Sequence, residues 1–385
     1  MVFWENTFAS KAVQQILKLH PDWDEEQRAV LSETVYDIIR WWRALWFLLN
    51  QEPSSEEKDF HKLLTVFLFT KRGDLTALQK KKGLDATQIM QRITMVKNTR
   101  VLRESIPDWL DRQGEQELGS RWESLLASLN HPSDLVIRVN TLKTTKKDLI
   151  SILRKEGIIA EAIAWSPDAL RLSEKRNVFA LRSFHDGLFE VQDAASQMVS
   201  RLLDPKPGMR LVDACAGEGS KTLHCAALMQ NKGKIIALDT LEWRLKQLRK
   251  RATRAGVDTI ETRLITSSKM YKRMNDTADR LLLDVPCSGV GTLRRNPDIK
   301  WKLSFDDFNR LKILQQELLE RYHPILEPKG LMVYSVCSVF PSEGEEQIKR
   351  FLSAHHEIHL LNEQRYWPDT DGSDGFYVAV LQRTA

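Results

Sequence analysis

From Val191 to the end of the 385-residue chain, short apolar runs alternate with amphipathic helical stretches. This alternation constrains the fold more than any other feature. Strands joined through helices pair in parallel, with the helices packed on the faces of the sheet. Strands are expected over 210–214, 234–239, 262–266, 280–285, 331–336 and 377–382. The expected class is α/β, and such sheets gather their ligands outside the carboxyl ends of the strands.

The upstream part has a different character. Residues 1–128 hold little Gly or Pro and repeat apolar residues at helical spacing, so an all-helical domain is expected. Asp24 followed by Gln27 has the form of a capping box. It opens a stripe of Val30, Leu31, Val35, Ile38, Ile39 and Trp42 that is expected to be buried. A second helix is expected over 58–71, with Leu63, Leu64, Phe67 and Leu68 on one face. The Trp-rich segment 41–46 could stack on nucleic-acid bases, but its periodicity assigns it to a core. Residues 129–190 form a small α+β module, with strand-like stretches at 135–140 and 158–165 around a helix-like 146–156. The main domain is then 191–385.

Composition excludes several classes. Apolar residues make up 42% and charged residues 28%, as in an ordinary globular protein. A net charge of +5 permits a polyanionic partner without demanding one. No apolar stretch reaches the length of a membrane span, and the first residues lack the basic-then-apolar pattern of a signal peptide. Four cysteines, at 215, 225, 287 and 337, include no CxxC pair, so neither a disulfide framework nor a zinc knuckle is expected. The chain reads as cytoplasmic, without membrane or metal.

Two of those cysteines point to chemistry. Cys287 and Cys337 each follow an apolar strand-like run, where the sheet should converge on a cleft, and Asp284 stands beside the first. Two thiols in one cleft suit nucleophilic catalysis. The turn Asp213-Ala214-Cys215-Ala216-Gly217-Glu218-Gly219-Ser220-Lys221-Thr222 lets a ligand approach the backbone at a helix N-terminus. A P-loop would need Gly at 215 and 220, so a nucleotide triphosphatase is excluded. Asp239, ending the next strand, stands where such folds grip a ribose. Loop and acid together fit either a dinucleotide or S-adenosylmethionine. Hydride transfer has no use for the thiols, whereas methylation at carbon-5 of a pyrimidine does. That carbon becomes nucleophilic only after a thiolate has added to carbon-6.

These residues amount to a pattern. The segment 284–301, beginning Asp284-Val285-Pro286-Cys287-Ser288-Gly289, resembles the second-cysteine motif of the RsmB/Sun (Fmu) family of RNA cytosine-5 methyltransferases. Tyr334-Ser335-Val336-Cys337-Ser338, followed by Glu343 and Glu345, is similar to the family's nucleophile motif. The 213–222 turn resembles its cofactor loop, and 189–197, 138–143 and 374–377 resemble further family segments. The stretch 33–40 is similar to a NusB-like RNA-binding domain. The resemblance implies a Rossmann-like S-adenosylmethionine-dependent methyltransferase sheet, preceded by the α+β (RRM-like) module and an all-helical NusB-like domain.

The resemblance also implies roles. Cys337 is the nucleophile on carbon-6, Cys287 assists release, and Asp284 touches both cytosine and cofactor. Cys215, Ala216, Gly217, Glu218, Gly219, Ser220, Lys221 and Asp239 hold S-adenosylmethionine. Small-subunit ribosomal RNA is the implied substrate. Transfer RNA is the alternative, and a non-catalytic RNA-binding scaffold is the reading from another class. Three departures from the family pattern stand out: Gly217-Glu218-Gly219-Ser220 in the loop, Ser267, expected to give the cofactor a weaker hydrogen bond where an acidic adenine contact is usual, and Val336 before the nucleophile. RNA is expected to pass Arg294, Arg295 and Lys300, whose segment starts beside Cys287 in sequence. The basic set Arg244, Lys246, Arg249, Lys250, Arg251 and Arg254 is read as a solvated helix face.

Overall fold

The computed structural model describes residues 1–73, 75–173 and 177–384, with Ala77 and Ser268 described by backbone alone. The chain forms two compact units. One comprises Met1–His131 with Leu293–Phe305, and the other Pro132–Thr292 with the chain from Asp306 onward.

In the first unit the Asp24 carboxylate accepts from the Gln27 backbone N–H at 2.8 Å, and the Gln27 side chain accepts from the Asp24 N–H at 3.1 Å. This reciprocal cap starts the helix Glu25–Arg40. The stripe expected to be buried is only partly so. Ile39 and Trp42 are in the core, but Val30 is 57% exposed. The main neighbour at that end is the helix Ala9–Leu19, and one neighbour covers only part of a stripe. Trp42 and Trp46 are buried with Leu63, Val66 and Phe67, as the periodicity of 41–46 requires. The segment Leu293–Phe305 belongs to this unit rather than to the sheet that precedes it in sequence.

The second unit opens with a four-stranded antiparallel sheet. Its strands are β1 (Leu135–Val139), β2 (Ala160–Ala162), β3 (Ala169–Leu172) and β4 (Phe189–Val191), in the order β2-β3-β1-β4. The helix Lys146–Lys155 lays its buried Leu149 and Leu153 on it. The main sheet follows, with β5 (Arg210–Asp213), β6 (Lys234–Asp239), β7 (Ile260–Leu264), β8 (Ala278–Asp284), β9 (Leu326–Val336), β10 (Ile358–Tyr366) and β11 (Phe376–Arg383). Its order is β10-β11-β9-β8-β5-β6-β7. The run from β9 to β7 is parallel, and β11 and β10 close one edge antiparallel.

Alternate residues of these strands enter two separate cores. Val212, Ile236, Leu281, Leu283 and Met332 face one, while Leu211, Ile235, Leu282, Val333 and Val378 face the other. A sheet covered on both faces explains why its strands read as continuous apolar runs. β10 gave no such signal, because it is an edge strand whose middle residues are exposed. Among the described residues no helix is long and apolar enough to cross a membrane.

Candidate active site

The parallel order brings the ends of β6, β5, β8 and β9 side by side, and the chemistry-bearing residues sit on those ends. Asp239, Asp213 and Asp284 are the last residues of β6, β5 and β8, and Cys337 follows β9 directly. Cys287 and Cys337, 50 residues apart in sequence, meet with their sulfurs 3.3 Å apart. Both are partly exposed, unlike Cys225, which is fully buried in the core. The Cys287 thiol is held well above its ordinary value, first by its contact with the Cys337 sulfur and then by burial and the Glu343 carboxylate. It therefore keeps its proton next to Cys337.

One buried carboxylate holds both cysteine loops. Glu343 accepts from the Ser288 backbone N–H at 2.8 Å, from the Ser288 hydroxyl at 2.5 Å and from the Ser338 hydroxyl at 2.5 Å. Gln315, from the helix Phe305–Tyr322, donates to it at 3.0 Å. Burial raises the Glu343 carboxyl, and these hydrogen bonds oppose the rise. Close backbone approach adds a second tie. A Cβ on Gly291 would stand 2.0 Å from the Gly375 carbonyl oxygen and 2.9 Å from that of Cys337, so only glycine fits.

Asp284 is shared between two neighbours. Its Oδ2 accepts from the Lys221 ammonium at 2.6 Å and its Oδ1 from the Ser335 hydroxyl at 2.8 Å. Lys221 is buried and lies over the Phe376 ring at 5.2 Å. Burial alone would lower its pKa, but the Asp284 charge and hydrogen bond outweigh burial and raise it. The lysine expected to hold a cofactor is thus paired with the expected catalytic acid.

The glycine loop has the form a ligand cradle needs. Gly219 adopts φ +85° and packs against Leu248, where a Cβ would stand 2.5 Å from the side chain. The Gly217 N–H donates to Asp239 Oδ2 at 2.9 Å, and the Leu241 N–H to Oδ1 at 2.8 Å. Each Asp239 oxygen keeps a lone pair beyond these bonds. Space is open above Gly217, with nothing within 4 Å of a Cβ placed there. Glu218 is exposed. Ala216 is buried, its N–H on the Leu238 carbonyl. Cys215 is half-buried, and burial, reinforced by Asp213, Asp284 and Asp239, pushes its thiol far up. Ser267 is exposed and makes no capping hydrogen bond with its side chain.

Several members of the site were not singled out from the sequence. Asp213 is buried and accepts from the Thr222 hydroxyl at 2.6 Å, while its Oδ1 has no partner. Burial, with the Asp284 charge, pushes its carboxyl up to about 7. An unpartnered buried carboxylate oxygen at the cradle fits a group that donates hydrogen bonds. Glu343 and Ser335 lay inside the motifs, but only the fold gives them partners. Arg251 had no local signal. It donates to Glu190 at 2.9 Å, the Ser220 hydroxyl at 3.0 Å and the Glu218 carbonyl at 3.0 Å. Arg254 joins it on Glu190. These two therefore brace the loop and β4 and are not part of a solvated face. From β1, Arg138 donates to the Ser220 carbonyl at 2.6 Å.

The expected RNA path needs a correction at Lys300. It is 1% exposed, and its ammonium donates to the carbonyls of Arg40, Glu104 and Ser105 and to Asn130 Oδ1 at 2.6–3.2 Å. A phosphate cannot reach it. Arg294 and Arg295 are half-buried, and Arg294 also donates to the His131 carbonyl at 3.4 Å.

Comparison with known proteins agrees with this architecture. Residues 200–382 match the family described as 16S rRNA methyltransferase RsmB/F, and 106–179 match the ferredoxin-like domain of RsmF/B-like methyltransferases. The probable ribosomal RNA small subunit methyltransferase B of Synechocystis is 31% identical over 98% of this chain and 96% of its own length. The crystal structure of PH0851 superposes with a TM-score of 0.78 at 27% identity, covering 96% of this chain and 93% of that one. A methyltransferase homolog from Pyrococcus horikoshii superposes with a TM-score of 0.66 at 29% identity, over 75% of this chain and 99% of its own. With 31% identity to the Synechocystis relative over nearly the whole length of both chains, this protein belongs to the RsmB/F methyltransferase family.

Proposed function

We propose that the protein is an S-adenosylmethionine-dependent RNA cytosine-5 methyltransferase acting in the cytoplasm on small-subunit (16S) ribosomal RNA. The observation that carries the reading is the pair of thiols 3.3 Å apart, at the ends of adjacent strands and beside the Asp284–Lys221 pair. The RNA class rests on the family's description and on the name of the Synechocystis relative.

S-adenosylmethionine, when bound, supplies the methyl group. The Asp239 lone pairs suit its ribose hydroxyls, and the unpartnered Asp213 oxygen and the loop at Gly217 suit its polar end. Cys337 adds as a thiolate to carbon-6 of the flipped base, and the electron pair moves through the ring to make carbon-5 nucleophilic. Asp284, facing a buried ammonium, is placed to accept from the exocyclic amine, and Lys221 to donate toward the ring as negative charge develops. After carbon-5 is methylated its proton must leave, and the Cys337–carbon-6 bond then breaks.

Cys287 suits that last stage for an electrostatic reason. Its proton is retained mainly through contact with the Cys337 sulfur. Once that sulfur is bonded to carbon, both the hydrogen bond and the charge are gone, and Cys287 gives up its proton more readily. That proton passes to water in the cleft, and the thiolate so formed takes the carbon-5 proton.

The test is a denaturing gel with 16S rRNA, S-adenosylmethionine and four proteins: wild type, Cys287→Ala, Cys337→Ala and the double variant. A covalent RNA adduct should accumulate in Cys287→Ala and vanish whenever Cys337 is removed. An adduct that survives loss of Cys337 would reverse the thiol roles. No adduct in any variant, with S-adenosylmethionine bound and no methyl group appearing at carbon-5, would overturn the chemistry.

A further inference from the structure

On a different part of the second unit, two imidazoles and a carboxylate converge. Glu320 lies in the last turn of the helix Phe305–Tyr322, His323 begins the following turn, and His355 caps the helix Glu345–Ala354. The spacing Glu320-x-x-His323 places both side chains on one face of a helical turn. One ligand atom from each of the three lies within 4.8 Å of the others. Both rings are held by packing. His323 meets the buried Phe351 edge-on at 5.3 Å, His355 meets it at 4.5 Å, and the two imidazoles are 4.3 Å apart.

The outer hydrogen bonds set the tautomers. His323 Nδ1 donates to the Leu319 carbonyl at 3.1 Å, and His355 Nδ1 faces Glu357 at 3.3 Å. Both rings then present Nε2, and this is how metal-bound histidines are oriented, with the other nitrogen on a carbonyl or carboxylate. His355 Nε2 already faces Glu320 Oε2 at 2.8 Å. Both nitrogens of His355 thus face carboxylates, and a cation between Nε2 and Glu320 satisfies the inner contact. Glu357 also lies 3.9 Å from His323 Nε2, which adds negative charge on that side. Glu320 also lines a cleft of about 1050 Å³, so one of the three ligands is open to solvent.

We propose that Glu320, His323 and His355 form a binding site for a divalent transition-metal cation of the zinc class, oriented by Leu319 and Glu357. Two imidazoles and one carboxylate are a zinc donor set, with water completing the tetrahedron. The cation sits between His355 Nε2 and Glu320 Oε2. The nitrogen–oxygen separation then opens to about 3.3 Å, the edge of a tetrahedron with bonds of about 2.05 Å. Bound there, it ties the end of one helix to the turn that leads into the edge strand β10. The missing CxxC pair argues against a thiolate site and has no bearing on one built from imidazoles.

The experiment is calorimetric titration of zinc chloride alone into the full-length protein, with His323→Gln/His355→Gln and Glu320→Gln compared. A Cys287→Ser/Cys337→Ser variant removes binding at the thiols. Circular dichroism checks that each variant is folded, and the half-exposed Glu320 offers a change that leaves the core untouched. One equivalent of zinc should bind the cysteine variant with micromolar or better affinity. The same histidine or glutamate change in that background should weaken binding at least tenfold. If the cysteine variant binds no zinc below millimolar concentration, or if affinity is unchanged by both histidine and glutamate variants, the site does not exist and Glu320 and Glu357 hold the His355 ring without a metal.

Discussion

At the end of β8 the Lys221 ammonium rests 2.6 Å from the Asp284 carboxylate, whereas in the helical unit Lys300 is enclosed by four oxygens that carry no charge. Both lysines have lost their water. The carboxylate raises the pKa of Lys221 against the effect of burial. Lys300 has no such partner, so burial and the nearby Arg40 guanidinium push it well below its ordinary value, with partial relief from Glu104. A buried amine held by a carboxylate keeps a charge that chemistry can use. One held by carbonyls is a structural crosslink, here joining the end of the helix Glu25–Arg40 to 104–105 and Asn130.

The contrast can be broken most sharply at Lys221. Lys221→Met should lower methyl transfer by roughly 10²–10³-fold, the scale of removing one positioned donor. Single-turnover rates with cofactor and RNA saturating would measure it, and a change under threefold would place Lys221 outside the chemistry. Lys300→Met should do the opposite. It leaves several buried acceptors unmet, each worth about 1–3 kcal/mol, so a loss of about 3 kcal/mol is expected in chemical denaturation. Turnover per folded molecule should hold.

A smaller effect sharpens the same comparison through pH. Because the folded pKa of Lys300 is depressed, the unfolded chain binds more protons between that value and 10.5. Its contribution to stability is therefore complete above 10.5 and is lost as pH falls through the folded value. Denaturation from pH 7 to 10 should show a rising slope in wild type that Lys300→Met flattens. Parallel slopes would mean that Lys300 is hydrated in solution. The smallest change concerns RNA. With Lys300 withdrawn, the backbone contacts fall to Arg294 and Arg295, and Arg294→Ala/Arg295→Ala should reduce the log–log salt slope by about 1.4, or 0.7 per contact. An unchanged slope would move the RNA path elsewhere.

Local signals were the ones the sequence carried well. The Asp24–Gln27 cap is set within four residues and forms as read. The strand over 234–239 falls on its expected bounds because both faces of a central parallel strand are apolar. Signals failed where exposure broke the pattern. β10 is mostly exposed and was not anticipated, and β7, the opposite edge, runs over Ile260–Leu264 rather than 262–266.

For the site, the sequence by itself determined which residue types stand at which strand ends: two cysteines, the aspartates at 239 and 284 and a glycine turn. That follows because a parallel strand and its exit loop are contiguous in sequence. Partnership was decided by tertiary structure alone. Lys221 and Asp284 are 63 residues apart, Ser288 and Glu343 are 55, and Lys300 and the Arg40 carbonyl are 260. A lysine's charge depends on which oxygens reach it after folding, and no local pattern encodes contacts at those separations. Hence Lys300, read as a surface cation, proved to be buried, and Arg251, read as solvated, proved to brace the glycine loop.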